Sequence, residues 1–200
     1  MMQPTTQRRK AFILLLLCGL LCCLVLSACG DPVSPETTTL PKPTLVYTGK
    51  DFTVKYLQGW SQEENANRRL VAFHSTPDKD MYDARTDSTI TIGSVDTTAT
   101  AQQFIEKQLL DLKTQLKDFQ QVPTATTVTI AGREWQQRSY TATTQALNGS
   151  DVTLKAVMLV TKLPDQRVFL AACGSAQSAF EQYQKQVFLP MLDTLTIKNG

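Results

Sequence analysis

The sequence predicts an α+β domain, a mostly antiparallel twisted sheet with helices packed on both faces in an α/β/α sandwich. Three observations carry that expectation. Strand-like runs, a helix, three further strands and a terminal helix follow one another between Val46 and Ile197. Val168 to Cys173 is apolar at every position, as a central strand covered on both sides requires. Thr100 to Phe119 and Phe180 to Leu195 carry apolar residues at helical spacing, so each presents one greasy face. The chain has 200 residues, of which 42% are hydrophobic. That is enough to bury one ordinary core and too apolar for a disordered chain.

Each element has its own signal. Phe52-Thr53-Val54-Lys55-Tyr56-Leu57 alternates like a half-buried strand, and Leu70 to Phe73 and Ser88 to Val95 read as two more. Ile105, Leu109, Leu112, Leu116 and Phe119 then recur on one helical face, and Pro123 marks the exit. A meander follows. Thr126 to Ile130 turns through Ala131-Gly132 into Glu134 to Thr143, and Asn148-Gly149 is a hairpin signal before Thr153 to Thr161. Pro164-Asp165 turns again into Val168 to Cys173. Gly174 breaks that strand and Ser175 is a candidate N-cap. Phe180, Tyr183, Val187, Met191 and Leu195 define the terminal helix, with Pro190 kinking or ending it, and Thr196-Ile197 reads as a last extended piece.

The chain ahead of the domain has a different character. Arg8, Arg9 and Lys10 precede an apolar run of 16 residues from Ala11 to Leu26. The run is short for a spanning helix, which wants about 20 residues. Charge, apolar stretch and small residues in that order read as a secretory signal over residues 1–28. The Arg8-Arg9 pair fits a twin-arginine signal poorly, since Phe12 stands one place too late and the run is very apolar. Leu26-Ser27-Ala28-Cys29 resembles the bacterial lipobox. The resemblance implies cleavage between Ala28 and Cys29 and a thioether-linked lipid on Cys29, with further acyl chains such as palmitate. Each buried methylene adds about 0.8 kcal/mol of membrane affinity, so two or three chains anchor firmly. Residues 29–45 then form a tether. Pro32, Pro35, Pro41 and Pro43 favour extended chain, and the 15 residues from Gly30 to Thr44 at roughly 3.1 Å each reach some 45 Å. Residues 46–198 are the expected domain.

Charge and cysteine counts change once the signal is set aside. Residues beyond 28 hold 17 basic and 18 acidic side chains, a net −1. A near-neutral surface implies neither nucleic-acid binding nor a polybasic membrane patch. Of five cysteines, Cys18, Cys22 and Cys23 leave with the signal and Cys29 takes lipid, so Cys173 has no partner for an internal disulfide. Cys173-Gly174-Ser175 before a helix suggests a lowered thiol pKa, but a catalytic cysteine wants a histidine base and His74 is the one histidine. A small buried hydrophobe is the plainer reading. Asp78, Asp80, Asp83, Arg85 and Asp87 mark an exposed stretch from Ser75 to Asp87. It lacks the glycine and terminal glutamate of an EF-hand loop, so it reads as a partner-contact loop and not as a calcium site. Trp60, Trp135 and Tyr140 are candidates to line a pocket for an apolar ligand, against the alternative that they pack in the core. No phosphate loop, nucleophile elbow, His-Glu-x-x-His or Cys-x-x-Cys is present, so no metal or cofactor is expected.

Phe52-x-Val54-x-Tyr56 leading to Gly59-Trp60, Gly132-x-x-Trp135 at a hairpin, and Phe188 with Met191-Leu192 before Leu195-x-Ile197 are similar to the PsbP-like fold family, which includes the Ran-binding Mog-type proteins. The resemblance spans roughly Val46 to Ile197. Photosynthetic members sit on the water-oxidising photosystem and Mog-type members bind a GTPase, so the fold hosts unrelated roles. The sequence therefore leads to a non-enzymatic, lipid-anchored module on the extracytoplasmic face of the cell membrane, with a protein partner in the bacterial envelope. A hydrophobic small molecule or lipid held between sheet and helix is the alternative.

Overall fold

The computed structural model describes residues 44–65, 69–76, 78–79, 85–146 and 149–198, with side chains for all of these except 78–79 and 85–86. The expected signal, Ala28, Cys29 and nearly all of the tether lie outside the described residues. The domain starts slightly earlier than the sequence suggests, because strand β1 already begins at Thr44.

Among the described residues, thirteen strands follow in chain order: β1 (Thr44–Thr48), β2 (Phe52–Leu57), β3 (Ser61–Glu64), β4 (Leu70–His74), β5 (Asp78–Lys79), β6 (Arg85–Thr86), β7 (Thr89–Asp96), β8 (Lys117–Val122), β9 (Thr127–Ile130), β10 (Arg133–Gln145), β11 (Asp151–Lys162), β12 (Arg167–Ala176) and β13 (Thr196–Ile197). Helix α1 (Ala101–Gln115) lies between β7 and β8. Helices α2 (Phe180–Tyr183) and α3 (Leu189–Asp193) follow β12, joined by a π-helical segment, Gln184–Phe188. An antiparallel sheet runs β3-β4-β7-β12-β11-β10-β8, with β9 also on β10, and a smaller sheet runs β1-β2-β13.

The large sheet separates two cores. On one face, Val71, Phe73, Ile90, Ile92, Val157, Leu159, Phe169 and Ala171 meet Phe52 and Val54 of the small sheet and Phe180, Phe188, Met191 and Leu192 of the terminal helix. On the other face, Met158, Val160 and Val168 meet Phe104 and Ile105 of α1. Helices thus cover both faces of an antiparallel sheet, as the sequence predicts. Central strand β12 is apolar on both sides because it feeds both cores through alternate residues.

Helix α1 departs from its predicted end. Its start is built by a capping box: the Thr100 hydroxyl accepts from Gln103 N–H at 3.1 Å while the Gln103 side chain accepts from Thr100 N–H at 3.0 Å. Its end comes at Gln115, and Leu116 is already extended at φ −101° and ψ 135°. Lys117 to Val122 then pairs with β10 as an edge strand, and Phe119 stacks on Tyr140 at 5.3 Å. The helical spacing of Leu116 and Phe119 is therefore coincidental. Pairing with β10 outweighs the modest helix preference of Lys117, Gln120 and Gln121.

Strand β12 also runs further than expected. Gly174 and Ser175 remain in register with Ala156 and Lys155, so neither breaks the strand. Ser175 is fully buried and caps nothing, and α2 starts at Phe180 after Ala179. Pro190 explains the π-helical segment. It has no N–H, and its ring would crowd the carbonyl of Gln186 in a regular α-helix. The chain widens ahead of it, with Leu189 N–H donating to the carbonyl of Gln184 five residues back. Gly93 in β7 answers a close approach: a Cβ there would lie 1.9 Å from the carbonyl oxygen of Arg69. The two-residue turn Ala131-Gly132 has φ of 49° and 72°, the left-handed pair that a tight hairpin demands.

Candidate functional site

Trp60 stands at the end of a turn that leaves β2. Trp60 N–H donates to the carbonyl of Leu57 at 3.2 Å, and Gly59 supplies φ 92° at the third turn position. The turn lays Trp60 beside the terminal helix, with its ring centroid 6.4 Å from that of Tyr183 and the planes 53° apart. A groove of about 440 Å³ opens there, lined by Leu57, Trp60, Ala179, Gln182, Tyr183, Gln186 and Val187. Tyr183 is braced from behind by Phe188, stacked at 5.8 Å. Gln182 Nε2 donates to Gln186 Oε1 at 3.3 Å along the groove's helical wall.

The other two aromatics grouped with Trp60 lie elsewhere. Trp135 is 1% exposed, packs edge-on against Phe169, and donates its indole N–H to the Ile130 carbonyl at 3.2 Å. Tyr140 is on the opposite face of the same strand, because even and odd positions of β10 alternate across the sheet. Burial raises its phenol above the ordinary tyrosine range. The predicted three-residue pocket is thus divided among the groove, the main core and the α1 face. Gln182 and Gln186, which the sequence reading passed over, join Trp60 instead. Their spacing of four on a helix was the available signal, and helical amides are too common to single it out.

Within the acidic stretch, the described residues form a short antiparallel ladder. Asp78 pairs with Thr86 and Lys79 with Arg85 across β5 and β6. Asp80 and Asp83 lie outside the described residues. Asp87 returns toward His74, its Oδ2 3.6 Å from Nδ1, while Glu63 lies 3.9 Å from Nε2.

Cys173 cannot pair with His74. The thiol is 1% exposed in mid-strand, in the same core as Phe73, and burial pushes its pKa far up. His74 follows Phe73 in β4 and so faces the other side of the sheet, two strands away through β7. β12 continues to Ala176 and α2 begins at Phe180, so Cys173 is not at the start of a helix.

A second concavity, of about 540 Å³, is lined wholly by charge: Lys50, Asp51, Arg69, Asp96, Asp165, Arg167 and Lys198. Arg167 Nη1 holds Asp51 at 2.9 Å and its Nη2 holds Asp165. Ser94 Oγ donates to Asp51 Oδ2 at 2.5 Å. Burial works against the Asp51 charge, yet Ser94, Arg167 and Arg69 together hold its pKa below the ordinary aspartate value. The cluster joins the β1–β2 turn to the ends of β7 and β12, and both of its arginines are committed to carboxylates, Arg167 to Asp51 and Asp165 and Arg69 to Asp96. It is a clamp between the two sheets.

Among the described residues, no group of three or more His, Cys, Asp or Glu is placed to hold a metal, and no helix is long and apolar enough to cross a membrane. A large antiparallel sheet with helices on both faces and a smaller sheet packed against it define the class: an antiparallel α+β sandwich. No family model matches the chain, and no curated protein does. Among solved structures it is similar to cyanobacterial PsbP (CyanoP) of Synechocystis sp., with a TM-score of 0.54 and 11% identity over 87% of this chain and 99% of that one. It is also similar to LpqN, involved in cell envelope biogenesis of Mycobacterium tuberculosis, with a TM-score of 0.49 and 12% identity over 78% of this chain and 91% of that one. The fold is PsbP-like, and at such identity the likeness speaks for fold alone.

Proposed function

We propose that this chain is a lipid-anchored, extracytoplasmic, non-catalytic interaction module of the bacterial cell envelope. The observation that carries the reading is Leu26-Ser27-Ala28-Cys29 at the end of a charged and then apolar N-terminal run. The domain's features agree with it. The Cys173 thiol is buried away from His74, and the open Trp60 groove gives a partner a surface to engage.

The test is metabolic labelling of the full-length protein with an alkyne analogue of palmitate in a bacterial host, followed by membrane fractionation. The native chain takes label and sediments with membranes. Cys29→Ser takes none and is released or retained as the uncleaved precursor. Equal labelling of both chains overturns the anchor.

A further inference from the structure

We propose that the groove between the Leu57–Trp60 turn and the terminal helix binds a neutral glycan, with Trp60 and Tyr183 as stacking walls and Gln182 and Gln186 reading its hydroxyls. The inference is independent of the lipid anchor.

The first argument is charge. None of the seven groove-lining residues is ionisable in the neutral range, whereas all seven around the Asp51–Arg167 clamp are charged. A phosphate, carboxylate or ammonium ligand would find no counter-charge in the groove. The ligand it suits is neutral.

The second is the pairing of ring faces with amides. A sugar ring has a flank of C–H groups and a rim of hydroxyls. The electron-rich faces of Trp60 and Tyr183, tilted 53° to each other, give the C–H flank two surfaces. The hydrogen bond between Gln182 and Gln186 uses one amide hydrogen and one carbonyl lone pair. The pair keeps further donors and acceptors pointing along the groove wall. A hydroxyl, which both donates and accepts, satisfies both kinds at once. An acyl chain satisfies neither and would strip water from two amides without replacing it.

The third is shape. A groove of about 440 Å³ falls in the usual range for small-ligand sites and is open on one side, which suits one or two rings of a longer polymer. The π-helical segment Gln184–Phe188 runs along this wall and turns both Val187 and Phe188 inward while Gln182 and Gln186 stay exposed. Single π turns of this kind recur at functional sites.

The two tryptophans make the test direct, since Trp135 is sealed in the core and Trp60 alone reports on the groove. Full-length protein in a zwitterionic, sugar-free detergent is titrated with cellobiose, maltose and di-N-acetylchitobiose while tryptophan emission is read. The expected result is a saturable emission change with at least one sugar at millimolar concentration. Gln182→Ala with Gln186→Ala, on the exposed wall, should weaken it at least tenfold with an unchanged urea midpoint, so a folding defect cannot imitate the loss. No saturable response to any of the three sugars overturns the proposal. So does a tighter response to palmitate, which would make the groove a lipid site, or to inorganic phosphate, which would make it an anion site.

Discussion

Replacing Arg167 by methionine should cost this domain about 3–5 kcal/mol, because it leaves a carboxylate buried without its ion-pair partner. Asp51 is 6% exposed and Arg167 9%. Methionine keeps the apolar stem of Arg167, so lost packing adds little. For a domain of this size the loss lowers Tm by roughly 10–15 °C. The double variant Asp51→Asn with Arg167→Met removes the stranded charge and should be more stable than Arg167→Met alone, with a coupling energy of about 2 kcal/mol. The pH dependence provides a second check. The folded pKa of Asp51 lies below its ordinary value, so its contribution is present above about pH 4 and is lost as pH falls through the folded value. The gap between native and Arg167→Met chains should therefore narrow between pH 5 and pH 3. Equilibrium urea denaturation of the four chains at the two pH values measures all of this. If the single substitutions add to within about 0.5 kcal/mol, the pair does not couple the sheets and the reasoning fails.

Three other outcomes are expected. Gly93→Ala should destabilise the fold by about 3 kcal/mol, because the new methyl meets the Arg69 carbonyl, whereas Gly174→Ala should be nearly neutral with its nearest atom at 3.6 Å; denaturation midpoints distinguish them. Ala131→Gly should stabilise by about 0.5 kcal/mol, since a φ of 49° strains alanine in the hairpin, and the same assay would show a loss if the turn were otherwise. Cys173 should resist a maleimide in the native state and react on unfolding in urea, and rapid native labelling would mean that β12 opens locally.

The parts of this fold that the sequence revealed are those where burial alone decides. Val168 to Cys173 feeds two cores, so every position had to be apolar, and Phe52, Val54 and Tyr56 face one core, so they alternate. The parts it concealed depend on partners distant in sequence. Lys117 to Val122 looks like the tail of a helix until β10 lies beside it, and Ser61-Gln62-Glu63-Glu64 has no strand signal at all because β3 is a wholly exposed edge. The site was half legible for a related reason. Trp60 and Trp135 both border strands and both follow a nearby glycine, and composition does not distinguish a lid over the terminal helix from a plug in the core. Odd or even position along β10 separates Trp135 from Tyr140, but only once the strand's limits and facing are known.

The small sheet also determines how the domain would bear a load. β1 and β13 flank β2 on opposite sides and both run against it, so they run parallel to each other. The backbone enters β1 at Thr44, level with Leu57, and leaves β13 at Ile197, level with Phe52, at the other end of β2. A pull between those two points acts along the strands. The five residue pairs of β1 with β2 are then strained together in shear, and none can be peeled away ahead of the rest. The two pairs of β13 are the weaker grip, and Lys198 reinforces them with its N–H on the Asp51 carbonyl and its ammonium on that of Gly49. A domain held at one end and engaged by a partner near the other would meet tension with its stiffest geometry.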